Sequence, residues 1–194
     1  MKVPPKDVRL GLDIQLAGIV IARSDLDERL RKICRDTGSA LSGRSVSLLP
    51  ALTFDIYQAR LLQFTNNAEK IFEGLRPALS HVADVAYPLQ WRQYCWGHRG
   101  ALVTIDFIDG GLNNKEGLDA CIELALQLAR WEGFPITKGA GFGYSASRIS
   151  ASFTMAEDSD PFLRISVGIE SGEVDALVVV VNRATLQCAK RYSG

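Results

Sequence analysis

The sequence predicts mixed α/β and α+β architecture in unequal parts: a strand-and-helix fragment over 1–50, a long connecting helix over 51–75, and a more self-sufficient α+β domain over 76–194. Three observations carry that expectation. One apolar, β-branched stretch with a single following helix stands near the start. A helix-period stripe of Phe64, Ala68, Ile71, Phe72 and Leu75 runs through the middle. Beyond it, segments with two-residue alternation interleave with helical stripes.

In chain order, "LDIQLAGIVIA" over 12–22 reads as a mostly buried strand with a glycine inside it. "SDLDERLRKICRDTG" then reads as a helix. Ser24 with Asp27 forms a capping box, Leu26, Leu30 and Ile33 make the stripe, and Gly38 is the stop. The long helix follows, with Pro77 expected just beyond its end. "HVADVAYPL" is a short strand, and "ALVTIDFI" is a strand with Val103, Ile105 and Phe107 on one face. "NNKEGLDACIELALQLARWEG" is a helix with an asparagine start and a Leu118, Ile122, Ala125, Ala129 stripe for packing on a sheet. "RISASFTM" and "FLRISVGI" alternate as strands. The tail after Ser171 is a helix despite the β-branched run Val178 to Val181.

A strand and one helix cannot close a sheet alone, so the first part is expected either to need cover from another chain or to leave a truncated edge prone to aggregate. The composition suits a soluble globular protein: 194 residues, 47% hydrophobic, with 22 basic and 22 acidic residues. Zero net charge gives no electrostatic case for nucleic acid or an anionic membrane surface. The longest aliphatic run, "ALVVVV", is too short to span a bilayer, and the leader lacks the order of a signal peptide, so a cytoplasmic location is expected. Cys34, Cys95, Cys121 and Cys188 are dispersed, and His81 and His98 have no ligand spacing, so no metal is expected.

In "PFLRISVGIE", Arg164, Ser166 and Gly168 alternate against Leu163, Ile165, Val167 and Ile169. A guanidinium on a rigid strand beside small residues can fork a carboxylate; the other reading is an arginine on a solvated sheet face. "KGAGFGYSASRIS" matches no phosphate-loop pattern and is either a close-approach loop or a plain turn; as the former, Tyr144, Ser145 and Arg148 could line a site. "QWRQYCW" offers Trp91, Tyr94 and Trp96 for packing or subunit contact in preference to base stacking. Asp106, Asp109, Glu116 and Glu123 read as solvated.

"PFLRISVGIESGEVDAL" resembles a segment of the cysteine and methionine metabolism family of pyridoxal-phosphate enzymes, the group of cystathionine γ-synthase, the cystathionine lyases and methionine γ-lyase. "RLLQFTNNAEKIFEGL" is similar to that family's long helix, with Arg60, Asn67 and Ala68 in place, and "GALVTIDF" follows in order. "KDVRLGLDIQLAG" is similar to its lysine-bearing segment, Lys6 falling on the lysine and Asp13 on the aspartate. Pro4 and Pro5 stand where the family has a serine and a threonine that hold the cofactor phosphate, and Gly11 and Leu12 where it has a histidine and a serine.

The resemblance implies the C-terminal half of such an enzyme: an incomplete piece of the fold-type-I large domain, then the small C-terminal α+β domain that binds substrate. It implies pyridoxal 5'-phosphate shared with a companion chain that supplies the N-terminal half, in a heteromeric lyase or transferase. Lys6 would be the catalytic, cofactor-binding Schiff-base lysine. Arg164 would hold the substrate α-carboxylate, with Ser145 and Arg148 beside it. The expected reaction is elimination or replacement at the β or γ carbon of a cysteine- or homoserine-type amino acid. The alternative is a non-catalytic scaffolding or regulatory subunit of such an enzyme.

Overall fold

The computed structural model describes residues 2–3, 19–20, 23–38, 54–89, 99–141, 146–153 and 160–192. The chain divides into two compact units, Met1–Ala59 and Arg60–Gly194. In the first, β1 (Lys2–Val3) pairs antiparallel with β2 (Ile19–Val20). The rest of the strand expected over 12–22 lies outside the described residues, as do Lys6 and Asp13.

A short 3-10 turn, Ser24–Leu26, leads into α1 (Asp27–Asp36), and Gly38 follows with φ 67°, the left-handed conformation expected of a helix stop. The capping box does not form. Ser24 makes no side-chain cap, because the 3-10 turn places Leu26 at the helix N-cap, and Asp27 turns instead to Arg31 at 2.8 Å. The helix buries none of its residues: Leu26 and Ile33, two members of its apolar stripe, are exposed.

The second unit is built around a five-stranded sheet. The long helix α2 spans Phe54–Leu79. It is followed by β3 (Ala83–Ala86), β4 (Leu102–Phe107), α3 (Lys115–Glu132), β5 (Ile136–Lys138), β6 (Ser147–Ser152), β7 (Phe162–Ser166) and α4 (Val174–Tyr192). The strand order is β3-β4-β7-β6-β5, antiparallel except for the edge pair β5–β6. Pro77 lies inside α2 and not after it. Leu79 is fully buried and extends the Ile71, Leu75 row by another turn. Burying it contributes about 1.5–3 kcal/mol, comparable to the ~3 kcal/mol that an interior proline costs.

Helix α3 starts where the sequence places it. Asn114 accepts from the Gly117 N–H at 2.9 Å, and Gly133 closes the helix at φ 73°. Gly117 is required for another reason, since a Cβ there would stand 2.7 Å from the Leu112 carbonyl oxygen. The β-branched run in α4 stays helical because Leu177, Val180, Val181, Ala184 and Cys188 repeat on a buried face. One continuous core joins α2, α3 and α4 to the sheet residues Val85, Val103, Ile105, Ile149, Leu163 and Ile165. No helix among the described residues is long and apolar enough to cross a membrane.

Candidate functional site

The sequence repeats one tripeptide, Arg148-Ile149-Ser150 and Arg164-Ile165-Ser166, on adjacent strands. Antiparallel register sets Arg148 opposite Ser166 and Ser150 opposite Arg164, with Ile149 opposite Ile165. Side chains alternate along a strand, so both isoleucines enter the core while both arginines and both serines share the other face. Thr104 of β4 flanks Arg164, and Thr137 of β5 flanks Arg148.

That face is polar yet enclosed. Ser150 is 6% and Ser166 1% exposed, and their hydroxyls, like the Arg164 Nε, have no hydrogen-bond partner among the described residues. Buried polar atoms are ordinarily paired, so three unpaired ones at successive register positions make this face a candidate site for a polar ligand. The Arg164 Nη2 donates to the Ala140 carbonyl and keeps a second N–H for another acceptor. Arg148 Nη1 lies 3.7 Å from where a Cβ on Gly139 would stand. The 139–141 segment is thus laid across the ends of both arginines, and the Gly139 N–H is tied to the Ile149 carbonyl at 3.0 Å.

Asn67 of α2 supports the strand that carries Arg164. Fully buried, it donates to the Gly168 and Ile169 carbonyls at 2.9 and 3.0 Å and accepts from Gln63 at 2.9 Å. The Gly168 N–H donates to the Ser147 hydroxyl at 3.0 Å, so the exit of β7 is held by side chains from α2 and β6. Nearby on α2, Glu69 accepts from the Arg99 Nη2 at 2.7 and 2.8 Å, and the Arg99 guanidinium lies 5.8 Å from the centre of the Tyr87 ring. Burial pushes the Tyr87 phenol up to about 12, against the opposing pull of Arg99. Its hydroxyl donates to the Gly100 carbonyl at 3.0 Å.

An arginine with a free Nε, two arginines on one face and two enclosed hydroxyls form a donor set for an anion, and a carboxylate matches the fork. Of the residues expected at the site, Arg148 and Arg164 come together, while Lys6, Tyr144 and Ser145 lie outside the described residues. Trp91, Tyr94, Trp96 and Cys95 also lie outside them. Ser150 escaped the sequence reading, which placed Ser166 on the Arg164 face only as a small neighbour. The repeated Arg-Ile-Ser was the available signal, but its meaning needs the strand register. Cys121 and Cys188 meet within the core on α3 and α4; the hydrogen bond to Cys188 and burial raise the Cys121 thiol well above the usual thiol range. Asp106, Asp109, Glu116 and Glu123 are exposed, and Glu123 pairs with Lys138 at 3.0 Å.

No family model matches the sequence. The chain is 38% identical over 187 residues to the bifunctional enzyme flvA of Aspergillus flavus, covering 96% of this chain and 22% of that protein. It therefore spans about a fifth of the length of the curated relative it matches. In structure it is similar to apo CalE6, a methionine gamma lyase from Micromonospora echinospora, with a TM-score of 0.67 and 19% identity, over 95% of this chain and 48% of that one. The unequal α/β and α+β pieces expected from the sequence accordingly form the fold of the C-terminal part of a fold-type-I pyridoxal-phosphate enzyme.

Proposed function

We propose that this chain supplies the substrate-binding side of a pyridoxal-phosphate enzyme that eliminates or replaces a group at the β or γ carbon of a cysteine- or homoserine-type amino acid. The observation that carries the reading is the enclosed polar face, on which the Arg164 Nε and the Ser150 and Ser166 hydroxyls await an acceptor. The fold it shares with a methionine gamma lyase supports the assignment, as does the family-like segment around Arg164.

In this reading Arg164 binds the α-carboxylate through Nε and the remaining Nη2 N–H, and Ser150 donates to the same group. Holding the carboxylate on a rigid strand fixes the direction of the Cα–H bond, an orientation effect. Asn67 keeps the end of that strand in place through the Gly168 and Ile169 carbonyls. The described donors fit a substrate carboxylate and offer no separate cradle for a cofactor phosphate. In our reading the ring and phosphate contacts come from a companion chain. The coenzyme, when bound, supplies an electron sink. We assign Lys6 as the amine that holds it and moves the Cα proton.

The exposed Leu26, at the N-cap of α1, and Ile33 on that helix support a companion surface. Pro4 and Pro5, at the positions of the family's phosphate contacts, favour a second reading in which the chain scaffolds or regulates the enzyme without Lys6 chemistry. The test is co-expression with the product of a neighbouring reading frame in the presence of the coenzyme, then borohydride reduction and peptide mass spectrometry. A pyridoxyl mass on Lys6 supports the first reading. One on a partner lysine supports the second, and no coenzyme in any mixture refutes both.

A further inference from the structure

The cysteines are dispersed through the sequence, yet the fold brings two of them together inside the core. Cys121 of α3 and Cys188 of α4 are 0% and 1% exposed and belong to one apolar cluster. The two helices pack along each other in opposite directions: Cys121 meets Cys188 and, near the far end of α3, Glu132 pairs at 3.2 Å with Arg183, which comes earlier on α4. A buried cysteine by itself packs as a small hydrophobe with a weak S–H donor. These two turn their sulfurs to each other in a hydrogen bond. That bond, with the Arg191 charge beside it, lowers the Cys188 thiol against the opposing effect of burial, while the same bond and burial raise the Cys121 thiol. Cys188 is therefore the sulfur that ionises first, and the thiolate is the reactive form. It lies close to the end of α4 at Tyr192, beside the exposed Lys190 and Arg191. Helix ends open locally far more readily than helix centres, which gives a small oxidant a way to this sulfur without global unfolding.

We propose that Cys121 and Cys188 are a modification site, which a hydroperoxide converts to a reversible disulfide joining α3 to α4. The Cys188 thiolate attacks the terminal peroxide oxygen and the O–O bond breaks. The departing alkoxide takes up the proton that Cys188 released and leaves as an alcohol, and Cys188 carries a sulfenic acid. The Cys121 sulfur then attacks the Cys188 sulfur, the S–O bond breaks, and the hydroxide leaves as water with the Cys121 proton. Two electrons pass from the two sulfurs to the peroxide, and a dithiol reductant returns them by exchange. Helix α4 follows β7, the strand that bears Arg164, through the short turn Ser171–Glu173. The bridge therefore ties the helix leaving that strand to the neighbouring helix of the same core. It stands apart from the carboxylate face and does not depend on the function proposed for it.

The test exposes the full chain, under native conditions, to an equimolar dose of hydrogen peroxide, blocks the remaining thiols with N-ethylmaleimide in guanidinium chloride, and maps the unreduced tryptic peptides by mass spectrometry. The expected product is peptide 116–130 joined to peptide 184–190 at their summed mass less two hydrogens, separated again by dithiothreitol. The oxidised protein should melt about 5–15 °C above the reduced one, because a bridge that closes a long loop constrains the unfolded chain. With dimedone present, Cys121→Ala should carry the sulfenic-acid adduct on Cys188, and Cys188→Ala should carry none on Cys121. Circular dichroism confirms that both variants are folded. Separate, fully blocked peptides after peroxide treatment overturn the proposal, as does a bridge to Cys34 or Cys95 in place of this one. A bridge that forms only in denaturant, or one that lowers the melting temperature, overturns it as well, since the two sulfurs would then not be poised in the native core.

Discussion

Removing Glu69 from beneath Arg99 should be among the most damaging single changes to the second unit outside the apolar core. The Arg99 side chain is 3% exposed and that of Glu69 26%, and the two are joined at 2.7 Å. Arg99 meets Glu69 through Nη2, and its Nε has no partner among the described residues, so Glu69→Leu strands a buried guanidinium. Breaking such a pair from one side costs about 3–5 kcal/mol. Partial exposure of Glu69 places the expected loss at the lower end, about 3 kcal/mol. Glu69→Gln keeps one acceptor and should lose about 1.5–2 kcal/mol, the value of the charge in the hydrogen bond. The double variant Glu69→Leu with Arg99→Met should regain most of the loss, because no charge is then left unpaired. Urea unfolding followed by far-ultraviolet circular dichroism measures all four proteins. A Glu69→Leu protein within ~1 kcal/mol of the wild type, or a double variant no better than the single one, refutes the reasoning, since a median surface pair behaves that way.

Three further outcomes follow from the same packing. The Tyr87 phenol is raised from 10.0 to about 12, so its contribution is fully present below pH 10 and is lost as pH rises toward 12, at about 1.4 kcal/mol per unit. Tyr87→Phe should flatten that part of an alkaline unfolding curve, and an unchanged slope contradicts it. Burial, with Glu170 nearby, raises the Glu173 carboxyl, so its ionised form costs stability once pH passes above the ordinary carboxylate range. Glu173→Gln should therefore melt higher than the wild type at pH 7 and converge with it in acid, a difference that thermal melts at two pH values detect. Gly117→Ala should lose about 1–2 kcal/mol in chemical denaturation despite alanine's better helix propensity, because the new Cβ would meet the Leu112 carbonyl at 2.7 Å.

The helices were legible because their signals are local. The Phe64 to Leu75 stripe and the asparagine start of α3 each act within one or two turns, and both stand where the sequence puts them. Pro77 was misjudged because the burial of Leu79, a tertiary effect, outweighs a local breaker. The Ser24–Asp27 box failed because a 3-10 turn shifted the cap by residues that periodicity cannot resolve. Strand β5 was missed: Ile136–Lys138 is three residues long, shows no alternation and forms only by parallel pairing with β6. Arg164 was visible as an alternating polar residue in an apolar strand. Its cross-strand neighbour Ser150 was not, since a serine's meaning here depends on which residue of another strand lies opposite.

The most direct measurement is a crystal structure of the chain soaked with L-norleucine, an amino acid that has only the α-carboxylate to offer. The polar face predicts both carboxylate oxygens within about 2.7–3.1 Å of donors on Arg164 and Ser150. A ligand bound anywhere else on the second unit, with the Arg164 Nε still unpaired, contradicts the assignment of this face as the substrate carboxylate site.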